Sequence, residues 1–200
     1  MSDFLRRAEE LVEVGRYLYS QNMVPATSGN LSAKLNDDSI AVTVSGRHKG
    51  KLTTEDIIRV DAYGHSMDWR RPSAEALLHT HIYNLFPDAR VVLHPHSVNA
   101  TVLSMLAESE LVLQDYELLK AFPGVGTHDC AVTVPVFEND QDIGRLAVRV
   151  DERLRQGCAA PGYLIRGHGY YTWGDSTEDA LRHVEAFEFL FQCELRMRGK

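Results

Sequence analysis

The stretch Tyr163-Leu164-Ile165-Arg166-Gly167-His168-Gly169-Tyr170-Tyr171-Thr172-Trp173-Gly174 decides the fold class of this chain. Two short runs of aliphatic, aromatic and β-branched residues flank a Gly-His-Gly corner, so residues 163–166 and 170–173 read as adjacent strands with no helix between them. A second such pair stands early in the chain. Residues 31–35 are followed by a turn at Asn36-Asp37-Asp38-Ser39 and by the alternation Ile40-Ala41-Val42-Thr43-Val44. Strands joined this closely can pair only antiparallel, since a parallel pair needs a long crossover.

Around these pairs, apolar spacing predicts helices. Phe4, Leu5, Ala8, Leu11, Val12 and Leu18 place one at residues 3–22, capped by Ser2 and interrupted at Gly15. Others are expected at 74–86 with Ser73 as the cap, at 97–106, at 140–155 and at 176–198. Thr53-Thr54-Glu55-Asp56 starts a short helical turn before a strand at 57–61. Further strands are expected at 89–93 and 131–137, the latter carrying Pro135, which is tolerated best at an edge or a bulge. The expectation is an α/β fold in which helices sandwich a mainly antiparallel sheet, not a parallel Rossmann sheet. No linker and no repeat interrupts it, so residues 1–200 read as one domain.

Composition narrows the function. At 44% hydrophobic and 24% charged, 200 residues have globular composition, which excludes a disordered or fibrous chain. No apolar run approaches the roughly 20 residues that cross a bilayer, and Met1-Ser2-Asp3-Phe4-Leu5-Arg6-Arg7 lacks the apolar core of a signal peptide, so no membrane association and a cytoplasmic location are expected. Cys130, Cys158 and Cys193 form no closed disulfide set and read as three buried, inert thiols. A net charge of -7 argues against nucleic acid as a partner.

Nine histidines are many for this length, and two His-x-His pairs stand among them. Positions two apart diverge on a helix but share a face on a strand. His79 and His81 lie in the helical segment after Ser73 and read as core or surface residues. His94-Pro95-His96 follows the strand Val91-Val92-Leu93 and opens a loop, where side chains are displayed to ligands. His168, between two glycines at a strand corner, is the third candidate. Three neutral imidazoles with an open fourth position suit a catalytic zinc. From spacing alone, a metal site and three unrelated loop histidines both stay open.

Thr27-Ser28-Gly29-Asn30-Leu31-Ser32 and Ser45-Gly46-Arg47-His48-Lys49 offer small residues, hydroxyls and cations, the means to cradle a phosphate or simply to make polar turns. Ser73 adds a hydroxyl at a helix start. Glu75 and Glu117 are the carboxylates that stand out for acid/base work, each also readable as a solvated surface charge.

Taken in order, Thr27-Ser28-Gly29-Asn30-Leu31-Ser32, Ser45-Gly46, Pro72-Ser73-Ala74-Glu75, Leu93-His94-Pro95-His96-Ser97 and residues 166–174 resemble the signatures of the class II aldolase/adducin family over nearly the whole chain. Within it, residues 112–117 and 186–191 look most like the branch that dehydrates 5-methylthioribulose 1-phosphate in methionine salvage. The resemblance implies a three-layer α/β/α fold, zinc held by His94, His96 and His168 with one ion per subunit, and a homotetramer with sites near subunit interfaces. It implies phosphate contacts at Asn30, Ser45, Gly46 and Ser73, Glu117 as the catalytic acid/base, and Glu75 as a second catalytic carboxylate at the position that serves aldolases as acid/base or zinc partner. It further implies a sugar phosphate as substrate, which loses one water, the C3 proton and the C4 hydroxyl, to leave 2,3-diketo-5-methylthiopentyl 1-phosphate once the enol has tautomerised. The sequence departs from the pattern at Pro95, which leaves the chelating spacing intact, and at Ala74, where relatives often carry a second serine. There Lys49 or Arg47 is expected to stand in for the lost hydroxyl. An aldolase or 4-epimerase would share the metal and differ in where the base stands. A non-catalytic assembly module, as in the adducin branch, would have lost the three histidines.

Overall fold

The computed structural model describes residues 2–199. Its elements run α1 (Asp3–Ser20), β1 (Asn30–Lys34), β2 (Ile40–Thr43), β3 (Ile57–Val60), α2 (Ala76–Leu85), β4 (Val91–His94) and α3 (Val98–Leu106). They continue with β5 (Glu110–Gln114), β6 (Ala131–Phe137), α4 (Ile143–Arg155), β7 (Gly162–Ile165), β8 (Gly169–Gly174) and α5 (Thr177–Met197). The eight strands form one sheet in the order β3-β2-β1-β4-β8-β7-β6-β5, antiparallel at every junction except β6–β7.

Period-two alternation divides the sheet residues between two apolar layers. Leu31, Ala33, Val91 and Leu93 pack with α1 and the start of α5, and Leu164 and Tyr170 pack with α3 and the rest of α5. Val92, Tyr163, Ile165, Tyr171 and Trp173 face the other way, onto α2 and α4. This is the three-layer α/β/α arrangement expected above, with the sheet buried on both faces except at the edge strand β5.

Several local expectations change, each for a physical reason. The first helix is continuous through Gly15. A Cβ there would come within 2.8 Å of the Lys49 carbonyl oxygen and of Leu52, so the glycine permits close packing on the 3₁₀ turn Lys49–Lys51 instead of breaking the helix. Ser73 does not cap α2, whose N-cap position is Glu75 with no side-chain cap, and the Ser73 hydroxyl is left at a cavity wall. The fourth long helix starts only at Ile143, leaving residues 139–142 as a loop.

β5 was not among the expected strands, yet Leu111 and Leu113 point inward while Glu110, Val112 and Gln114 point out, the pattern of a half-exposed edge strand. β6 is interior, not an edge. The amide of Val136 bonds to Ser109 on the β5 side, so the Pro135 nitrogen faces β7, where the ladder begins only at Val136. The three cysteines are free and half-buried instead of fully buried.

A candidate metal centre beside a polar cavity

Two glycine-dependent close approaches and one glycine turn bring distant segments together at one end of the sheet. A Cβ on Gly169 would overlap the Pro95 carbonyl oxygen, so only glycine lets the His168 corner press against the His94–His96 loop. The amide of Tyr170 bonds to that same Pro95 carbonyl at 3.1 Å. Gly29, at φ +75°, approaches the His94 carbonyl in the same way, and Gly167 turns the corner at φ +63°.

The result is a cluster of Glu75, His94, His96 and His168, whose ligand atoms all lie within 4.8 Å of one another. His94 Nε2 is 2.8 Å from His96 Nε2 and 3.3 Å from a Glu75 oxygen, and His168 Nε2 is 3.6 Å from the other Glu75 oxygen. His94 is fully buried, stacked on Tyr171 with centroids 4.0 Å apart. Its Nδ1 donates to the Tyr170 carbonyl at 2.8 Å, which leaves the Nε2 lone pair aimed at the cluster. Burial first, then the neighbouring imidazoles, keep His94 neutral well below its ordinary range, and the same causes push His96 down to about 2.

These residues fit a divalent cation. Nitrogen lone pairs and a carboxylate converge where, with no cation among them, they would repel one another. Three imidazoles with a carboxylate are a donor set that suits zinc.

Behind Glu75 runs a buried hydrogen-bonded chain with one consistent polarity. Asn30 Nδ2 donates to Glu75 at 2.8 Å, and Asn30 Oδ1 accepts from His79 Nε2. His79 Nδ1 therefore accepts from Ser32 at 2.7 Å, and Tyr83 donates to Ser32 at 2.8 Å. Burial holds His79 down to about 3, so it stays the neutral member this chain requires. His79 is thus the core histidine expected of a helical position, with a further part that sequence spacing does not reveal: it orients Asn30, and Asn30 orients Glu75. His81 stays off this network, 3.8 Å from Asp151 on α4.

Beside the cluster lies a cavity of about 320 Å³, lined by Asn30, Ser45, Gly46, Ser73, Glu75, His96 and His168, all residues expected at a site, together with Ser28, Gly29 and Lys49. The side chain of Asn30 is turned to Glu75 and His79 and not into open space. A further wall is the loop Asn139-Asp140-Gln141 with Ile143, of which Asp140, Gln141 and Ile143 fall within the helix expected at 140–155. Asp140 is held there by Arg145 and Arg149, and the Arg145 hydrogen bond draws its carboxyl down to about 2. A helix pattern that fails to begin until Asp142 caps it was the available signal for this loop.

Glu117 is not brought to the cluster of its own chain. It opens the 3₁₀ turn Glu117–Ala121 after β5, 71% exposed, paired with Lys120 and 3.6 Å from His128. Gln114 pairs with Ala131, the opposite end of β6 from Phe137 and the cavity loop that follows it.

The family model for the class II aldolase and adducin N-terminal domain matches residues 9–195. The chain belongs to the class II aldolase and adducin family. A Methylococcus capsulatus protein named methylthioribulose-1-phosphate dehydratase is 57% identical over 198 residues, covering 99% of this chain and 97% of the relative. One of the same name from Azotobacter vinelandii is 55% identical, covering 95% and 93%. Among solved structures, L-fuculose-1-phosphate aldolase from Thermus thermophilus superposes with a TM-score of 0.78 at 27% identity, covering 96% of this chain and 94% of its own. Members of one family thus carry names for both dehydration and carbon–carbon cleavage, and the fold and the metal cluster do not separate them.

Proposed function

We propose that this protein is a zinc-dependent methylthioribulose-1-phosphate dehydratase, a hydro-lyase of methionine salvage, removing water from C3 and C4 to give 2,3-diketo-5-methylthiopentyl 1-phosphate. The reading is carried by full-length identity of 57% to a relative of that name, with His94, His96, His168 and Glu75 gathered in one cluster. Intact ligands speak against a non-catalytic assembly module.

Residues 1–200 act as one class II aldolase-like domain in a cytoplasmic homotetramer. Zinc, one per subunit, is held by His94, His96 and His168, and when bound supplies Lewis-acid polarisation of substrate oxygens. The phosphate rests against Ser45, Gly46 and Ser73, with Asn30 at the junction between this cradle and the cluster. Glu75 is kept by Asn30 with one oxygen toward His94 and the other toward His168, so its charge stays where the ligand set converges. The acid/base is Glu117. It takes the C3 proton and returns a proton to the C4 hydroxyl as that group leaves as water, one carboxyl serving both steps because it is protonated when an acid is next required. Since Glu117 is remote from the cluster of its own chain, it serves the site of a neighbouring copy. The part of Glu75 beyond the ligand set is positional.

Mass spectrometry of the products formed from 5-methylthioribulose 1-phosphate tests this reading, with chelated protein as control. Metal-dependent loss of one water is the expected outcome. Dihydroxyacetone phosphate instead would show C3–C4 cleavage, overturning the dehydratase reading and the role of Glu117.

A further inference from the structure

Lys49 is the one lysine or arginine, among the described residues, that lines the cavity beside the metal cluster. It is 1% exposed. Its ammonium donates to the Thr27 carbonyl at 2.8 Å and to the Arg47 carbonyl at 2.7 Å. An ammonium has three donors, so one remains after these two bonds. No carboxylate among the described residues forms an ion pair with it, and burial alone pulls Lys49 down to about 8. A buried cation without a counter-charge is unfavourable, and an anionic ligand entering the cavity would relieve that.

Outside the metal cluster, Arg47 and Asp140 beside this cavity already have partners of opposite charge. Arg47, the alternative cation in sequence, is 60% exposed and turned to Asp56 at 3.1 Å. Asp140 across the cavity is neutralised by Arg145 and Arg149. The backbone of Lys49 is also clamped, since α1 packs directly on its carbonyl at Gly15. The Lys49 side chain then joins two loops: the one containing Thr27, Ser28 and Gly29, and the one containing Ser45, Gly46 and Arg47.

We infer that Lys49 is the specificity-determining cation of the cavity, pairing with the substrate's phosphate group and so selecting phosphorylated over neutral sugars. The inference rests on the sugar-phosphate reading above and adds to it the residue that recognises the charge. A buried ammonium supplies a charge-assisted hydrogen bond, which is about twice as strong as a neutral one.

Two variants separate charge from loop tethering. Lys49→Met keeps the aliphatic stem and removes the donors and the charge, whereas Lys49→Gln removes the charge but keeps N–H donors for the carbonyls on a side chain one atom shorter. The probe is inorganic phosphate, titrated calorimetrically into zinc-loaded protein, with metal content and thermal melting recorded for each variant. Both variants should bind phosphate about 10- to 100-fold more weakly than the parent, with metal content retained. The KM for the phosphorylated substrate should rise in parallel. Parental affinity in Lys49→Met overturns the inference, and parental affinity in Lys49→Gln with loss in Lys49→Met reduces Lys49 to a loop tether and overturns it too. A parent protein with no affinity for phosphate would instead overturn the sugar-phosphate reading itself.

Discussion

Mixing two inactive variants of this protein should regenerate activity. His96→Ala removes a metal ligand and keeps Glu117, while Glu117→Gln keeps the ligands and removes the acid/base, costing about 10²- to 10⁴-fold in rate. Within one chain the metal cluster stands at the end of β4 and the start of β8, on the side of the sheet where β6 ends at Phe137. Glu117 follows Gln114, which is paired with Ala131 at the other end of β6. The six steps from Ala131 to Phe137, at about 3.4 Å each, separate those ends by roughly 20 Å. That is several times the reach of a glutamate side chain, so under the proposed roles a complete site would take its ligands from one chain and Glu117 from another. In a random equal mixture, half of the ligand sets are intact and half of their neighbours carry Glu117. About one site in four is therefore complete, and about a quarter of the parental rate should return. Co-expression with two different tags yields the mixed oligomers. Native mass spectrometry confirms their composition, and product mass spectrometry gives the rate after zinc is replenished. Confirmed mixed oligomers no more active than their parents would refute the placement of Glu117 across a subunit boundary.

Acid stability and one packing contact offer further checks. His79 is neutral and fully buried at a value of about 3 in the fold, against an ordinary 6.5 in the unfolded chain. Between those values the unfolded chain binds the extra proton, so stability rises with pH and is lost on acidification, by about 1.4 kcal/mol per pH unit. Urea melts of chelated protein at about pH 7 and about pH 5.5 should show a lower midpoint in acid, and His79→Gln should lessen the dependence, the remainder coming from the buried His94 and His96; an unchanged dependence in that variant would remove His79 as a contributor. Gly15→Val forces a side chain against the Lys49 carbonyl and Leu52, each 2.8 Å from an added Cβ. The expected destabilisation is about 1–3 kcal/mol by urea denaturation, and parental stability would show that α1 can move off the 3₁₀ turn.

What could be read in the sequence was local or periodic. The β-hairpin alternation at Ile40–Thr43 and the strand pair around Gly167-His168-Gly169 imply an antiparallel sheet, because short connections leave no other pairing. His94 and His96 were legible as a chelating pair because a strand end puts positions two apart on one face. Their union with His168 and Glu75 was not legible from spacing, since it depends on backbones pressed together at Gly29 and Gly169 across β1, β4 and β8. The carboxylates show the same division. Glu75 and Glu117 are alike as sequence, yet one is oriented by Asn30 and His79 inside the sheet and the other is exposed beyond its far end. Lys49 reads as one more basic residue in a polar turn. Tertiary packing alone decided that it is buried, because α1 covers its backbone and the two cradle loops close around its ammonium. Sequence periodicity determines which face of an element is apolar. Which distant polar groups share one buried volume, and so shift one another's charge, is settled only by the packing of the whole chain.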